Sequence, residues 1–327
     1  MKISKLASSR RAALVAVVAF ASCAAFAQNY PARPIKLIVP FPAGGGTDAV
    51  AREVANKVAT QQGWTMIIDN KPGSGGNLGV DAAAKATPDG YTIVLGQTSN
   101  LAINPTLYAK LPYNPVKDLA PIGLVASSPL VLVVATDSPY KTLADLIVAA
   151  KAKPEAINYA SSGSGTVAHL AVEQFQKIAG IKLTHVPYKG AAQGATDLIG
   201  GQIQLYMSSI PTLIGHIRSG KMRAIAVTSQ QRINDLPNVP TVSESGYKGF
   251  EAVTWFGLAG PAAMPKDAVV KLNGAFNKAL QDPEVKKKLE GQGVEVLGGT
   301  PEQFGKLIQD DIGRWGKVVK ESGAKVD

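Results

Sequence analysis

The sequence predicts an α/β protein with two sheets, each built mainly from parallel strands. Three observations carry this reading. Short β-rich apolar runs alternate with segments of helical periodicity, at a spacing that suits βα units. Gly- and Ser-rich stretches fall repeatedly between a strand candidate and the next helix candidate. Three helical patterns then close the chain with only one short strand candidate among them.

The strand candidates, in order, are Ile35–Pro40, Met66–Asp69, Thr92–Leu95, Leu130–Ala135, Ile157–Ala160, Leu183–Val186, Gln204–Met207 and Ala224–Thr228. An extended run, Phe250–Ala259, and the short Val294–Leu297 follow. Helical patterns cover 47–61, 77–86, 142–152, 166–178, 191–200, 211–218, 266–280, 283–290 and 301–320. Pro154 and Pro283 mark two helix boundaries, because proline lacks the N–H an interior position needs. The first sheet fills roughly 30–126 within a domain of residues 28–128, and the second roughly 130–230 within a domain of residues 129–248. Residues 249–327 carry a helical tail with no sheet of its own. Such a tail must pack on an existing domain, and the first is the smaller, so the chain is expected to return there.

Composition bounds the function. The 327 residues are 46% hydrophobic, with 34 Lys+Arg against 24 Asp+Glu and a formal charge of +10. That is too apolar for a disordered chain and too mixed for an integral membrane protein. Residues 1–27 read as a secretory signal. Lys2, Lys5, Arg10 and Arg11 are followed by the apolar run Ala12–Phe20 and by Ala25-Phe26-Ala27, a small-x-small cleavage site. The apolar run is short for a membrane span of roughly 20 residues. Ser9-Arg10-Arg11 leaves twin-arginine and ordinary export both open. Cleavage after Ala27 removes the only cysteine, Cys23, and leaves a charge of +6. The mature chain then has no thiol chemistry. It carries no basic run, so nucleic acid is not an expected partner.

In open α/β sheets, ligands bind where strands end and helices begin. The loop Pro40-Phe41-Pro42-Ala43-Gly44-Gly45-Gly46-Thr47-Asp48 stands at such a place. Its glycines admit close approach of a ligand to the backbone. The following helix start presents free N–H groups and a positive dipole end, an anion site in principle. Capping by Thr47 or Asp48 is the plainer alternative. The loop also fits a relaxed dinucleotide fingerprint, with Asp69 near the ribose-binding position. An exported protein is not expected to meet a diffusible nicotinamide cofactor, and no catalytic constellation accompanies the motif. No cofactor is predicted.

The Lys71–Asn77 loop is a second glycine cluster, read equally as an N–H donor or a mobile loop. Ser161-Ser162-Gly163-Ser164-Gly165-Thr166 is a third, where hydroxyls and N–H groups converge before a helix. Ser164 as a nucleophile is the enzyme alternative, but the Gly-x-Ser-x-Gly elbow is absent and no base can be assigned. Tyr188-Lys189-Gly190-Ala191 is a fourth, with Lys189 either a cationic ligand partner or simply solvated. Gln97-Thr98-Ser99-Asn100 and Met207-Ser208-Ser209 add polar lips. His169, His185 and His216 show no metal-ligand spacing. His169 either touches ligand or braces the third loop. The site so drawn has hydroxyls, small residues and N–H donors, but no carboxylate pair of the kind glycosidases use. It favours an anion.

Taken in order, these stretches resemble a known family. They are Tyr30-Pro31-x-Arg33-Pro34-Ile35, Pro40-Phe41-Pro42-Ala43-Gly44-Gly45-x-Thr47-Asp48, Asn70-Lys71-Pro72-Gly73-x-Gly75-Gly76 and Pro88-Asp89-Gly90-Tyr91-Thr92. Val186-Pro187-Tyr188-Lys189-Gly190, Asp197-Leu198-x-Gly200-Gly201-Gln202, Pro240-Thr241-x-x-Glu244-x-Gly246, Trp255-Phe256-Gly257-Leu258 and Arg314-Trp315 continue the match. The chain resembles the periplasmic solute-binding receptors of tripartite tricarboxylate transporters, also called Bug receptors. The likeness spans essentially all of 30–327.

The resemblance implies a type-2 periplasmic-binding-protein (Venus flytrap) fold, with two α/β domains closing on a ligand and the chain crossing between them twice. It implies a non-enzymatic receptor for a small organic carboxylate: a di- or tricarboxylate, an acidic amino acid or an aromatic acid. Its implied partners are two membrane subunits of the transporter, and the receptor is expected to be a periplasmic monomer. The family's carboxylate loops map to Phe41, Ala43, Gly44 and Thr47, with Ser162, Gly165, Thr166 and His169 opposite. Together with the loop reading, the candidate site adds Gly45, Asp48, Gln97, Ser99, Ser161, Tyr188 and Ser208. Gln193-Gly194 departs from the Pro-Ala that family members often carry there. A carboxylate sensor without a dedicated transporter shares every one of these features, and a secreted hydrolase remains the enzyme alternative.

Overall fold

Residues 30–324 and 326 are described by the structure, a computed structural model. The predicted leader, its cleavage site and Cys23 lie outside the described residues.

The first lobe begins with three parallel strands, β1 (Ile35–Val39), β2 (Met66–Asn70) and β3 (Thr92–Gln97), in the order β2-β1-β3. Helices α1 (Gly46–Gln62) and α2 (Asn77–Ala84) make the crossovers. Four of the five residues of β1 are buried, as expected of a strand covered on both faces. Two strands then depart from the parallel expectation. β9 (Val253–Pro261) lies antiparallel beside β3, and β4 (Leu119–Ala135) lies antiparallel beside β9. The short β10 (Glu295–Val296) also pairs with β4.

β4 is 17 residues long, whereas the sequence marks only its Leu130–Ala135 end. It belongs to both lobes. As far as Pro129 it pairs with β9; from Leu130 it pairs with β7 (Leu205–Ser209) and β8 (Met222–Val227). The second lobe runs β6-β5-β7-β4-β8, with β5 (Asn158–Ser161) and β6 (Thr184–Pro187) parallel. The return crossing is tied to β4 at Thr228. Its N–H donates to Leu130 O (3.0 Å), its Oγ1 accepts from Leu130 N (2.7 Å), and its carbonyl accepts from Ala252 N (3.1 Å).

A further difference lies after β3. The stretch read as a polar lip opens a π-helical turn, Ser99–Ile103, that runs into the short α3 (Asn104–Leu107). Leu101, Ala102 and Ile103 are buried there. In the second lobe, α4 (Leu143–Ala152), α5 (Val167–Ala179), α6 (Ala191–Ile199) and α7 (Ile210–Arg218) flank the sheet.

The tail supplies α8 (Lys266–Leu280), α9 (Pro283–Glu290) and α10 (Pro301–Ser322). A Thr300–Gln303 capping box and Pro301 start α10, and Gly323 at φ 70° stops it. Phe304, Ile308, Trp315 and Val319 bury one face, mostly against the first lobe. Its far end also reaches α5, where Lys177 and Glu321 approach to 3.7 Å. Leu101 and Phe304 of the first lobe share one buried cluster with Leu170 of the second. Among the described residues no helix is long and apolar enough to cross a membrane.

Candidate functional site

Between the lobes lies a cavity of about 270 Å³ onto which four helices open. The first turns of α1 (Gly46, Thr47), α5 (Val167, Ala168), α6 (Ala191, Ala192) and α7 (Thr212) all line it. Each helix start carries N–H groups without an intrahelical acceptor and the positive end of a dipole. Hydroxyls of Thr47, Ser162, Thr166, Ser208, Ser209, Thr212 and Thr254 and the amides of Gln97 and Gln193 share the wall. Among the described residues no acid lines the cavity, and Lys189 is its only charged residue. A neighbouring space of about 500 Å³, walled by Phe41, Tyr108, Tyr188 and the Pro72–Gly76 loop, also has Lys189 as its only charge among the described residues.

The loop before α1 is held from behind by Asp48. Its Oδ2 accepts from Gly44 N (2.9 Å) and Arg52 Nε (2.8 Å), and its Oδ1 accepts from Asn70 Nδ2 (2.9 Å). Asn70 Nδ2 also donates to Phe41 O (3.0 Å). Burial opposes ionisation of Asp48, but the bonds from Arg52, Gly44 and Asn70 outweigh it and hold the carboxyl below its ordinary range. Gly44 sits at φ 80°, which an L side chain would resist.

The loop after β5 folds on itself. Ser161 Oγ accepts from Gly163 N (3.2 Å), and Thr166 Oγ1 donates to Gly163 O (2.8 Å) while capping α5. Ser162 Oγ reaches Tyr206 Oη (3.2 Å) and Ser208 Oγ (3.3 Å). Behind the loop, His169 and His185 stack with ring centroids 4.1 Å apart. His169 Nδ1 accepts from Gly165 N (3.2 Å), and His185 Nε2 lies 2.7 Å from Ser161 Oγ. Burial pushes His169 down to about 4; burial, then the neighbouring His169, pushes His185 down to about 3.

This pair makes stability acid-sensitive. An unfolded histidine binds its proton near 6.5. Between pH 6.5 and the folded values the unfolded chain therefore holds more protons, and stability falls as pH falls through that window. His169 alone accounts for on the order of 3 kcal/mol by pH 4. Urea midpoints measured from pH 7 to pH 4 are expected to fall, and a His169→Asn variant to fall less steeply.

Of the candidate residues, Phe41, Ala43, Gly45, Thr47, Gln97, Ser162, Thr166 and Ser208 line the inner cavity, and Tyr188 lines the outer one. Gly44, Asp48, Ser99, Ser161, Gly165 and His169 are on neither wall. Ser99 is fully buried in the π-helical turn. Tyr188 Oη donates to Asp197 Oδ2 (2.7 Å). Ser161–His185 is a serine–histidine contact, but Ser161 is fully buried. Leu130, Thr212 and Thr254 line the cavity and were not marked in the sequence. A hint existed for Thr212, since Pro211 flags a helix start.

The lobes touch across the cleft. Gly46 N donates to Thr212 Oγ1 (3.1 Å). A Cβ at Gly190 would lie 2.7 Å from Pro42 Cγ, so the backbone of one lobe rests against the proline ring of the other.

The family model for the tripartite tricarboxylate transporter family receptor matches residues 50–324. Protein BugT of Bordetella pertussis is 40% identical over 301 residues, covering 92% of each chain. A solved R. palustris protein with adipate shares 34% identity at a TM-score of 0.88, over 91% of this chain and 100% of that one. MatC from Rhodopseudomonas palustris with bound malate shares 31% at 0.84, over 89% and 100%. The fold matches that of periplasmic binding proteins, with a cleft between two α/β lobes and a strand common to both. The chain belongs to the receptor family of tripartite tricarboxylate transporters.

Proposed function

We propose that the protein is a periplasmic receptor that captures a small dicarboxylate by closure of its two lobes and delivers it to the membrane subunits of a transporter. It acts without chemistry on the ligand, as a monomer, after loss of its leader behind Ala27. One observation carries the ligand class: four helix starts and a lone lysine face a cavity that no acid lines. Helix starts contribute about 0.3–1 kcal/mol each toward an anion, more when partly buried. Hydrogen bonds to a charged group add about 1.5–3 kcal/mol each. An acidic amino acid fits less well, because its ammonium finds no carboxylate on either wall. The relatives solved with adipate and malate support the same class.

The moving bodies in this reading are residues 28–128 with 249–327 and residues 129–248, hinged where the chain crosses near Leu130 and Thr228. Ligand shifts the equilibrium only by binding the closed form better than the open one. The carboxylate contacts are Phe41, Ala43, Gly45, Thr47, Gln97, Ser162, Thr166 and Ser208. Gly44, Asp48, Ser161, Gly165 and His169 hold the loops that present them.

Thermal shift of the mature chain against mono-, di- and tricarboxylates tests the reading, after unfolding and refolding to strip ligand acquired during expression. Dicarboxylates are expected to raise Tm by several degrees, since a ligand that binds only the native state stabilises it by mass action. No shift with any acid would overturn the assignment. A Ser164→Ala variant is expected to bind the same acids, and ester or amide substrates are expected to remain intact with either form.

A further inference from the structure

The stacked histidines behind the third loop reach it at two points. His169 Nδ1 accepts the Gly165 N–H at 3.2 Å, which places the His169 proton on Nε2, facing Glu173 Oε1 at 4.0 Å. Glu173 Oε1 is itself held by Tyr159 Oη (2.6 Å) and Gln176 Nε2 (2.9 Å). His185 works through Ser161. The Ser161 hydroxyl donates to Gly163 O (3.1 Å) and accepts from Gly163 N (3.2 Å). Its shortest contact is with His185 Nε2 (2.7 Å), where the imidazole tautomer decides which of the two donates. The rings lie nearly parallel, 9° apart, and Tyr159 stacks on the far side of His185 with centroids 4.8 Å apart.

The two contacts fall at Ser161 and Gly165, each immediately before a loop residue on the inner cavity wall, Ser162 and Thr166. They also fix the two glycines whose φ values, 132° and 82°, shape the loop. His169 sits on α5 and His185 on β6, so one rigid stack ties the loop to two elements of the lobe.

We infer that His169 and His185 are positioning residues: as a stacked pair, each hydrogen-bonded to the loop, they hold residues 161–166 in the shape that presents Ser162 and Thr166 to the ligand. Neither ring touches the cavity. The effect on ligand binding rests on the proposed carboxylate site; the effect on loop order does not.

The test separates hydrogen bonding from packing. Asparagine places Oδ1 where His169 has Nδ1 and keeps an acceptor for Gly165 N–H, whereas leucine fills the space without one. Amide hydrogen exchange at Gly163 and Gly165 is measured on wild type, His169→Asn and His169→Leu, with Tm for each. Adipate affinity is measured alongside. Loss of the acceptor is expected to speed Gly165 exchange about tenfold and to weaken adipate about tenfold, with Asn restoring most of both. His185→Phe retains a ring to stack and loses the bond to Ser161, and is expected to speed exchange at Gly163.

Equal loss in the Asn and Leu variants would show that packing alone matters and overturn the inference. So would unchanged exchange in His169→Leu. If wild type fails to bind adipate while exchange follows the expected pattern, the positioning role stands and the dicarboxylate reading is what failed.

Discussion

Gly46→Ala is expected to weaken ligand capture about 30-fold while leaving the unliganded protein at least as stable. The glycine opens α1 with a φ outside the left-handed region, so its backbone does not require glycine. Within a helix, alanine is better than glycine by roughly 0.5–1 kcal/mol. The obstacle lies across the cleft. A Cβ at this position would stand 2.7 Å from Ser209 Oγ, 3.1 Å from Pro211 Cγ and 3.2 Å from Thr212 Oγ1, all in the other lobe. Ser209 can rotate away, but Pro211 is a rigid ring at the start of α7. Overpacking of this kind costs about 1–3 kcal/mol, and 2 kcal/mol is about 30-fold in Kd. The same displacement lengthens the Gly46 N–Thr212 Oγ1 bond. Only the closed arrangement bears these costs, so Tm without ligand should hold or rise while affinity falls. Gly190→Ala is the companion: its φ of 172° suits any residue, and its Cβ would meet the Pro42 ring at 2.7 Å. Unchanged affinity in both variants would mean that the closed contact seen here is not the binding form.

What the sequence could reveal about this cleft followed from how local each signal is. The βα units were legible because strand, glycine loop and helix start are neighbours in the chain, as in Ile35–Asp48 and Asn158–Ala179. β4 was not, because Pro121, Gly123 and Pro129 interrupt its apolar run. What makes it a strand is pairing with β9, more than 120 residues later in the chain for each pair. The mainly parallel expectation failed at the same two strands, since a strand's direction is set by its distant partner. Within the site, glycine and hydroxyl loops announced the anion wall. Asp48 and His169 fall in the first helical turns after those loops, and nothing in that placement separates a residue that faces the cavity from one that supports the loop from behind. The Asp48–Arg52 pair at i,i+4 was a usable clue that this carboxylate was already engaged. Leu130 and Thr254 carry no local mark at all, because their place on the wall arises where β4 and β9 pass beneath the cleft.

Lys189→Gln is expected to lower affinity for a dicarboxylate by tenfold to a hundredfold and to leave a monocarboxylate of equal length nearly unaffected. Among the described residues Lys189 is the one charge lining the inner and outer cavities, and no acid stands on either wall. Four helix starts line the inner cavity and only the N-cap of α2, Gly76, the outer one, so the first carboxylate lodges inside and the lysine is left to meet a second. Glutamine keeps the length and a donor while removing the charge, so the loss reads the charged bond, about 1.5–3 kcal/mol. The competing effect is solvation. A lysine left in water contributes about 0–1 kcal/mol to such a pair, and salt weakens it further. Calorimetry of wild type and variant with adipate and with hexanoate, at low and high salt, decides between the two. A large loss for adipate alone, persisting in salt, places the second carboxylate at Lys189 in a closed, drained cleft. A loss under threefold that vanishes in salt would return Lys189 to the solvent, and an equal loss for both acids would put it on the carboxylate they share.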